Sequence, residues 1–186
     1  INEEGSGFVT GSYRGSAVFG NTTLSNPGSD KSPYVAKISS SGEWEWAEGL
    51  DSSWDGLGYA IEVGPGGSVV VAGKFLVSIE IGNTTLNTNG DADAFAATIS
   101  GHGEWESALS FGWTDTERIE DIAVRTSGSI LVAGDFSSSN LTFGTHNITK
   151  NGNHNFDAFF AEFGPETSIG MSHPGFQEGS VLSDAK

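Results

Sequence analysis

Val70-Val71-Ala72-Gly73-Lys74-Phe75 follows a Gly66-Gly67 pair and leads into Glu80-Ile81-Gly82-Asn83-Thr84-Thr85-Leu86. Two other stretches lie over it. Phe8-Val9-Thr10-Gly11-Ser12-Tyr13 runs into Val18-Phe19-Gly20-Asn21-Thr22-Thr23-Leu24, and Leu131-Val132-Ala133-Gly134-Asp135-Phe136 runs into Thr142-Phe143-Gly144, with Ile148 in the leucine place. Gly11, Gly73 and Gly134 are spaced by 62 and 61 residues, and Gly20, Gly82 and Gly144 by 62 and 62. Downstream, Tyr34-Val35-Ala36-Lys37-Ile38 matches Phe95-Ala96-Ala97-Thr98-Ile99 and Phe159-Phe160-Ala161-Glu162-Phe163. Gly42-Glu43-Trp44-Glu45 matches Gly103-Glu104-Trp105-Glu106, and Tyr59-Ala60-Ile61-Glu62-Val63 matches Glu120-Asp121-Ile122-Ala123-Val124. Several elements returning in one order at one spacing mark a repeat, which sets the fold class.

Each unit reads as four short strands. Strand one is Ala60–Val63 or Asp121–Val124, closed by Gly66-Gly67 or Ser127-Gly128, where glycine supplies the positive φ of a tight turn. Strand two is Ser68–Phe75 or Ser129–Phe136. Strand three is Ala94–Ser100, with Phe95, Ala97 and Ile99 alternating with Ala96, Thr98 and Ser100, and strand four is Glu104–Leu109. Alternation with a period of two marks half-buried strands, and no stretch carries a capped 3.6-residue period. The expected class is all-β, built of consecutive four-stranded antiparallel propeller-type blades.

Val-x-Gly-x-Phe, Phe-Gly-x-x-x-Leu, Asp-Ala-Phe and Gly-Glu-Trp resemble the SBBP β-propeller repeat of secreted bacterial and archaeal proteins, over roughly residues 7–164. The hairpin Ile122–Gly134 is also similar to NHL-type blades. Lys31-Ser32-Pro33 replaces Asp-Ala-Phe in the first copy, and the third copy lacks Gly-Glu-Trp. The resemblance implies a structural propeller architecture and a secreted setting. It divides residues 1–164 at about 1–50, 51–111 and 112–164.

In this register Ile1 takes the place of Val63, so the chain is expected to open inside a blade, and a start at Ile1 without Met leads to the expectation of a mature, processed or cut polypeptide. Strands number three, four and three, about two and a half blades, whereas a closed propeller takes about 4–8. The expectation is a piece of a longer propeller, or a subunit that completes a ring or filament with other copies. Residues 165–186 lack the repeat and read as a tail: a linker, or a strand donated to an open sheet.

Composition narrows the partners. The 186 residues include 27 glycines but only 5 prolines, so glycine marks turns and not disorder. Twenty-four acidic against 8 basic residues give a net charge of −16, which disfavours nucleic acid and anionic lipid. Neutral glycans, proteins and cations remain. Without cysteine there are no disulfides, thiolate nucleophiles or zinc–sulfur sites. No run approaches the roughly 20 apolar residues of a membrane span.

Candidate sites follow from residue type. Asp91 and Asp93 lie in Asn87-Thr88-Asn89-Gly90-Asp91-Ala92-Asp93, and Asp157 lies in the equivalent turn. Their oxygens offer calcium ligands, although no complete calcium loop is present; the alternative is bonding to turn N–H groups. Otherwise no cofactor is expected. Trp44 and Trp105 recur as core, while Trp54 and Trp113, in loops leading into strand one, are ligand-contact candidates. Asn21, Asn83, Asn140 and Asn147 head glycosylation sequons, or simply favour turns. The four histidines show no metal spacing, and Glu43 with Glu45 reads as a solvated strand face. No catalytic residue stands out. The expected function is a non-catalytic extracellular or cell-surface module acting as scaffold, adhesin or assembly subunit; a lectin-like module is the alternative, with a hydrolase or lyase propeller behind it.

Overall fold

A computed structural model describes residues 1–143, 146–151 and 155–164. The tail 165–186 lies outside them, as do Gly144, Asn153, His154 and His173. In chain order the strands are β1 (Gly7–Tyr13), β2 (Gly15–Phe19), β3 (Thr22–Asn26), β4 (Ser32–Ile38), β5 (Trp44–Gly49) and a short β6 (Asp51–Ser52). Then come β7 (Gly56–Val63), β8 (Val69–Ile81), β9 (Thr84–Ile99) and β10 (Trp105–Phe111). The last group is β11 (Glu117–Val124), β12 (Ile130–Phe136), β13 (Asn140–Phe143), β14 (His146–Thr149) and β15 (Asp157–Phe163). The protein is all-β. Among the described residues there is no α-helix, only a 3-10 turn at Pro65–Gly67, so no helix is long and apolar enough to cross a membrane.

Three antiparallel sheets carry the structure. The first has the order β1-β4-β5; the second runs β10-β9-β8, with β7 along the other side of β8 and β6 on its far end; the third is β11-β12-β15. Corresponding residues pair identically: Gly11 with Tyr34, Gly73 with Phe95, Gly134 with Phe159. The described strands form neither a closed barrel nor a complete ring.

The second sheet is dry on both faces. Val69, Val71, Phe95, Ala97 and Ile99 pack with Val35 and Leu50 towards the first sheet. The alternate residues Val70, Ala72, Ala94 and Ala96 pack with Ile119, Val132, Phe159 and Phe163 of the third. Two-sided burial explains why strand two reads as a nearly unbroken apolar run. A third, smaller core forms on the outer face of the first sheet, where Phe19 of the β2–β3 hairpin covers Ala36, Ala47, Tyr34 and Trp44.

The strands outrun the expected limits. β8 and β9 continue beyond Phe75 and before Ala94 as a hairpin arm whose Ile79 and Ile81 are buried in the core shared with Val35 and Leu50, Ile79 facing Leu86 across the pair. This arm corresponds to the separate hairpins β2–β3 and β13–β14. A register shift between Leu76 and Ser78 bends β8 out of the sheet, and Val77 at the bend has φ +65, where the first segment has Gly15 at φ +67. A β-branched residue in this region is strained.

The glycine of strand two has a steric cause. Strand one bulges between Gly58 and Ala60, and again between Ile119 and Asp121. The bulges press the Leu57 and Arg118 carbonyl oxygens into the positions that a Cβ on Gly73 or Gly134 would occupy. At Gly11 the atoms nearest to a Cβ belong to the Tyr34 ring, at 3.2 Å, and a side-chain ring can give way where backbone cannot. We expect Gly73→Ala to cost about 3 kcal/mol in urea unfolding, because backbone must move, and Gly11→Ala to cost less than about 1 kcal/mol. Equal losses at the two positions would contradict this account of the bulge.

Candidate functional site

Trp54 and Trp113 occupy the two connections between consecutive sheets. The first runs from β5 through β6 to β7, the second from β10 to β11. Both open at the end of the sheets from which the strand-two hairpins protrude. Trp54 is 58% and Trp113 50% exposed, so neither contributes much to the core. Their surroundings differ.

The Trp54 connection is tied on both sides. Ser53 donates its N–H to the Ser78 carbonyl at 3.0 Å, and the two seryl oxygens lie 2.8 Å apart. On the other side Gly56 donates to the Lys31 carbonyl at 2.8 Å, and Lys31 donates its own N–H to Asp55 Oδ1 at 2.8 Å. Arg14 Nη2 reaches the same oxygen at 3.4 Å. The Lys31 N–H holds the Asp55 carboxyl below its ordinary pKa against the effect of desolvation, with Arg14 assisting.

The Trp113 connection is built over buried acid. Trp113 donates its N–H to Glu117 Oε2 at 2.7 Å, and Ser138 donates its N–H to Oε1 at 3.4 Å. Glu117 and Asp93 are both completely buried. Asp93 Oδ2 accepts the Asn89 N–H at 3.2 Å and the Asn89 side-chain amide at 3.5 Å. Its Oδ1 is buried without a partner among the described residues, and the carboxyl fills the space that a side chain on Gly112 would need. Desolvation pushes the Asp93 pKa up to about 6; the Asn89 N–H opposes the shift and the Glu117 charge adds to it. Glu117 was missed by sequence reasoning. It stands where the preceding segment has Gly56, and nothing in Thr114-Asp115-Thr116-Glu117 announces burial; the one available hint is Gly112, the small residue that admits Asp93.

The calcium candidates are not brought together. Asp93 belongs to β9, Asp157 to β15 of the third sheet, and Asp91 is exposed. Asp157 caps its own turn by accepting the Asn151 N–H, as Asp93 does with Asn89. Among the described residues no group of three or more His, Asp or Glu side chains is placed to hold a metal. The sequons also divide. Asn21 and Asn83 are exposed at two-residue hairpin turns beside Gly20 and Gly82, both at φ +59. Asn140 and Asn147 accept hydrogen bonds from Thr149 and Thr142 across β13–β14, at 3.0 and 3.3 Å.

The other tryptophans are structural. Trp44 and Trp105 lie beneath the hairpin-tip glycines, 3.2 and 2.9 Å from where a Cβ would project. Trp46 donates from Nε1 to the Gly101 carbonyl at 3.1 Å, and the buried Lys37 ammonium donates to the same oxygen at 3.3 Å while pairing with Glu45. This clasp joins the first sheet to the second. At the opposite end of the sheets from Trp54 and Trp113 lies a cleft of about 490 Å³ between the ends of β1, β7 and β11, lined by Phe8, Ile61, Glu62, Val63, Val124 and Arg125. Arg125 is paired with Glu162 at 3.0 Å. No protein-family model matches the chain, and no curated protein matches it.

Asp93 makes folding sensitive to pH. Its folded pKa is raised, so its contribution to stability is complete below about pH 4 and is lost as pH rises through about 6. Asp93→Asn is therefore expected to be roughly 2–3 kcal/mol more stable than the parent protein at pH 8, with the two converging near pH 4. Thermal melts across this range check it; a variant less stable than the parent at pH 8 would contradict the assignment.

Proposed function

We propose that this chain is a β-propeller-type segment that works as a non-catalytic structural module outside the cell or on its surface, joining its end sheets to further sheets of the same kind. The observation that carries the proposal is the exposure of equivalent residues. Val71 and Val132 are 0% exposed beneath a neighbouring sheet, whereas Val9, their counterpart on the first sheet, is 37% exposed. At the other end Val70 and Ala72 are buried, while Leu131 and Ala133 of the third sheet are only half-buried. Each end therefore offers the type of face that the second sheet covers. A partner supplying the missing sheet removes apolar area worth about 25 cal/mol per Å².

The partner is more of the parent polypeptide or a second copy. Between copies the third sheet meets the first, a head-to-tail contact that yields a ring if the rotation closes and a filament if it does not. The surplus of 16 negative charges keeps such a surface soluble and discourages nonspecific contact. The module holds no resident metal in this account, since its buried carboxylates serve turns and a sheet-to-sheet joint.

Light scattering on the isolated chain should give a mass well above 19.4 kDa, unchanged by EDTA, and Leu131→Asp should return it to the monomer. A stable, monodisperse monomer would overturn the assembly function. A melting temperature lowered by EDTA and restored by calcium would overturn its metal-free character.

A further inference from the structure

We propose that the Trp54 connection is a binding site for a neutral glycan, with the indole as a platform for a pyranose ring and Asp55 and Arg14 as partners for its hydroxyls. The site lies at the loop end of the sheets, apart from the end faces through which the chain would assemble, so it stands independently of the assembly function.

The indole is held out and not left loose. Ser53 and Asp55, the residues on either side of Trp54, are both anchored, to Ser78 and to Lys31. A ring presented on a fixed backbone loses little conformational freedom on binding. Trp54 and Val77 each sit one residue from the Ser53–Ser78 tie that fixes this connection. Val77 is 52% exposed at φ +65. The bend needs a positive φ, but Gly15 meets that need in the first segment with no strain. Valine here spends stability to expose an apolar side chain one residue from the Ser53–Ser78 tie, and strain of that kind points to a role outside the fold.

Charge selects the ligand class. Asp55, next to Trp54 in the chain, and Arg14 form a half-exposed ion pair through one contact of 3.4 Å, with side-chain exposures of 42% and 55%. A carboxylate accepts from hydroxyls and a guanidinium donates to them. Cationic ligands are opposed by Arg14 and Lys31, which both act electrostatically on Asp55. Polyanions are opposed by the net charge of −16. A neutral, polyhydroxylated ring with one apolar face satisfies both constraints. Trp113 lacks this environment, since its connection rests on the carboxylates of Asp93 and Glu117.

The test is a titration of the intact chain, by calorimetry and by NMR of the indole N–H signals, with cello-, manno- and galacto-oligosaccharides, and with polygalacturonate and chitosan oligomers as charged controls. At least one neutral series should bind saturably and shift the Trp54 signal. Trp54→Ala should weaken binding by at least about tenfold and Val77→Gly by severalfold, while Trp113→Ala binds as the parent does. The proposal is overturned if no neutral oligosaccharide binds at millimolar concentration, if only charged sugars bind, or if Trp54→Ala, with its fold intact by circular dichroism, binds undiminished.

Discussion

Everything in this molecule hangs on a sheet that is dry on both sides. Val69 to Ala72 are each no more than 3% exposed, so alternate residues of one strand enter two different cores. Sheets stacked face to face lie about 10 Å apart, and side chains from the two facing surfaces must share that gap. Alanines at 72, 94 and 96 on one face meet phenylalanines 136, 159 and 163 from the third sheet, and Phe75 and Phe95 on the other face meet Val35 and Leu50. Small against large keeps both gaps filled. The strand-one bulge then brings backbone so close to strand two that only glycine fits at positions 73 and 134.

From that stack the outer features follow. The connections between sheets emerge at one end, fixed by hydrogen bonds from neighbouring sheets, which is where exposed functional residues belong. The joint between second and third sheets carries Asp93 and Glu117, two buried carboxylates with no bonded cation among the described residues, a costly arrangement offset by N–H donors from Asn89, Trp113 and Ser138. The joint between first and second sheets uses Lys37 and Trp46 on one carbonyl. The two joints use unrelated chemistry.

Much of the architecture was legible in the residues. The recurring glycines locate strand two, and the alternation at Phe95, Ala97 and Ile99 locates strand three. That alternation reads as half-burial, whereas the structure covers both faces, Ala94 and Ala96 being buried like Phe95. The hairpin arm was less legible, because Ser78-Ile79-Glu80-Ile81 alternates like any strand and only the Val77 bend separates it from the sheet. Burial of charge was not legible at all. Glu117 and Lys37 look like solvent-facing residues of short strands, and their environment is set by what the neighbouring sheet presents, which local sequence does not encode. The same holds for Asp93: its place in an Asn- and Asp-rich turn suggests a surface ligand, yet its oxygens face protein.

Hydrogen exchange of the backbone amides tests the two-sided burial most directly. The account places the slowest amides in Val69–Phe75 and Phe95–Ile99, with those of β1, β15 and the β2–β3 hairpin exchanging far sooner. If strand Val69–Phe75 exchanged as fast as that hairpin, its faces would not be sealed and the central sheet would not be what holds the molecule together.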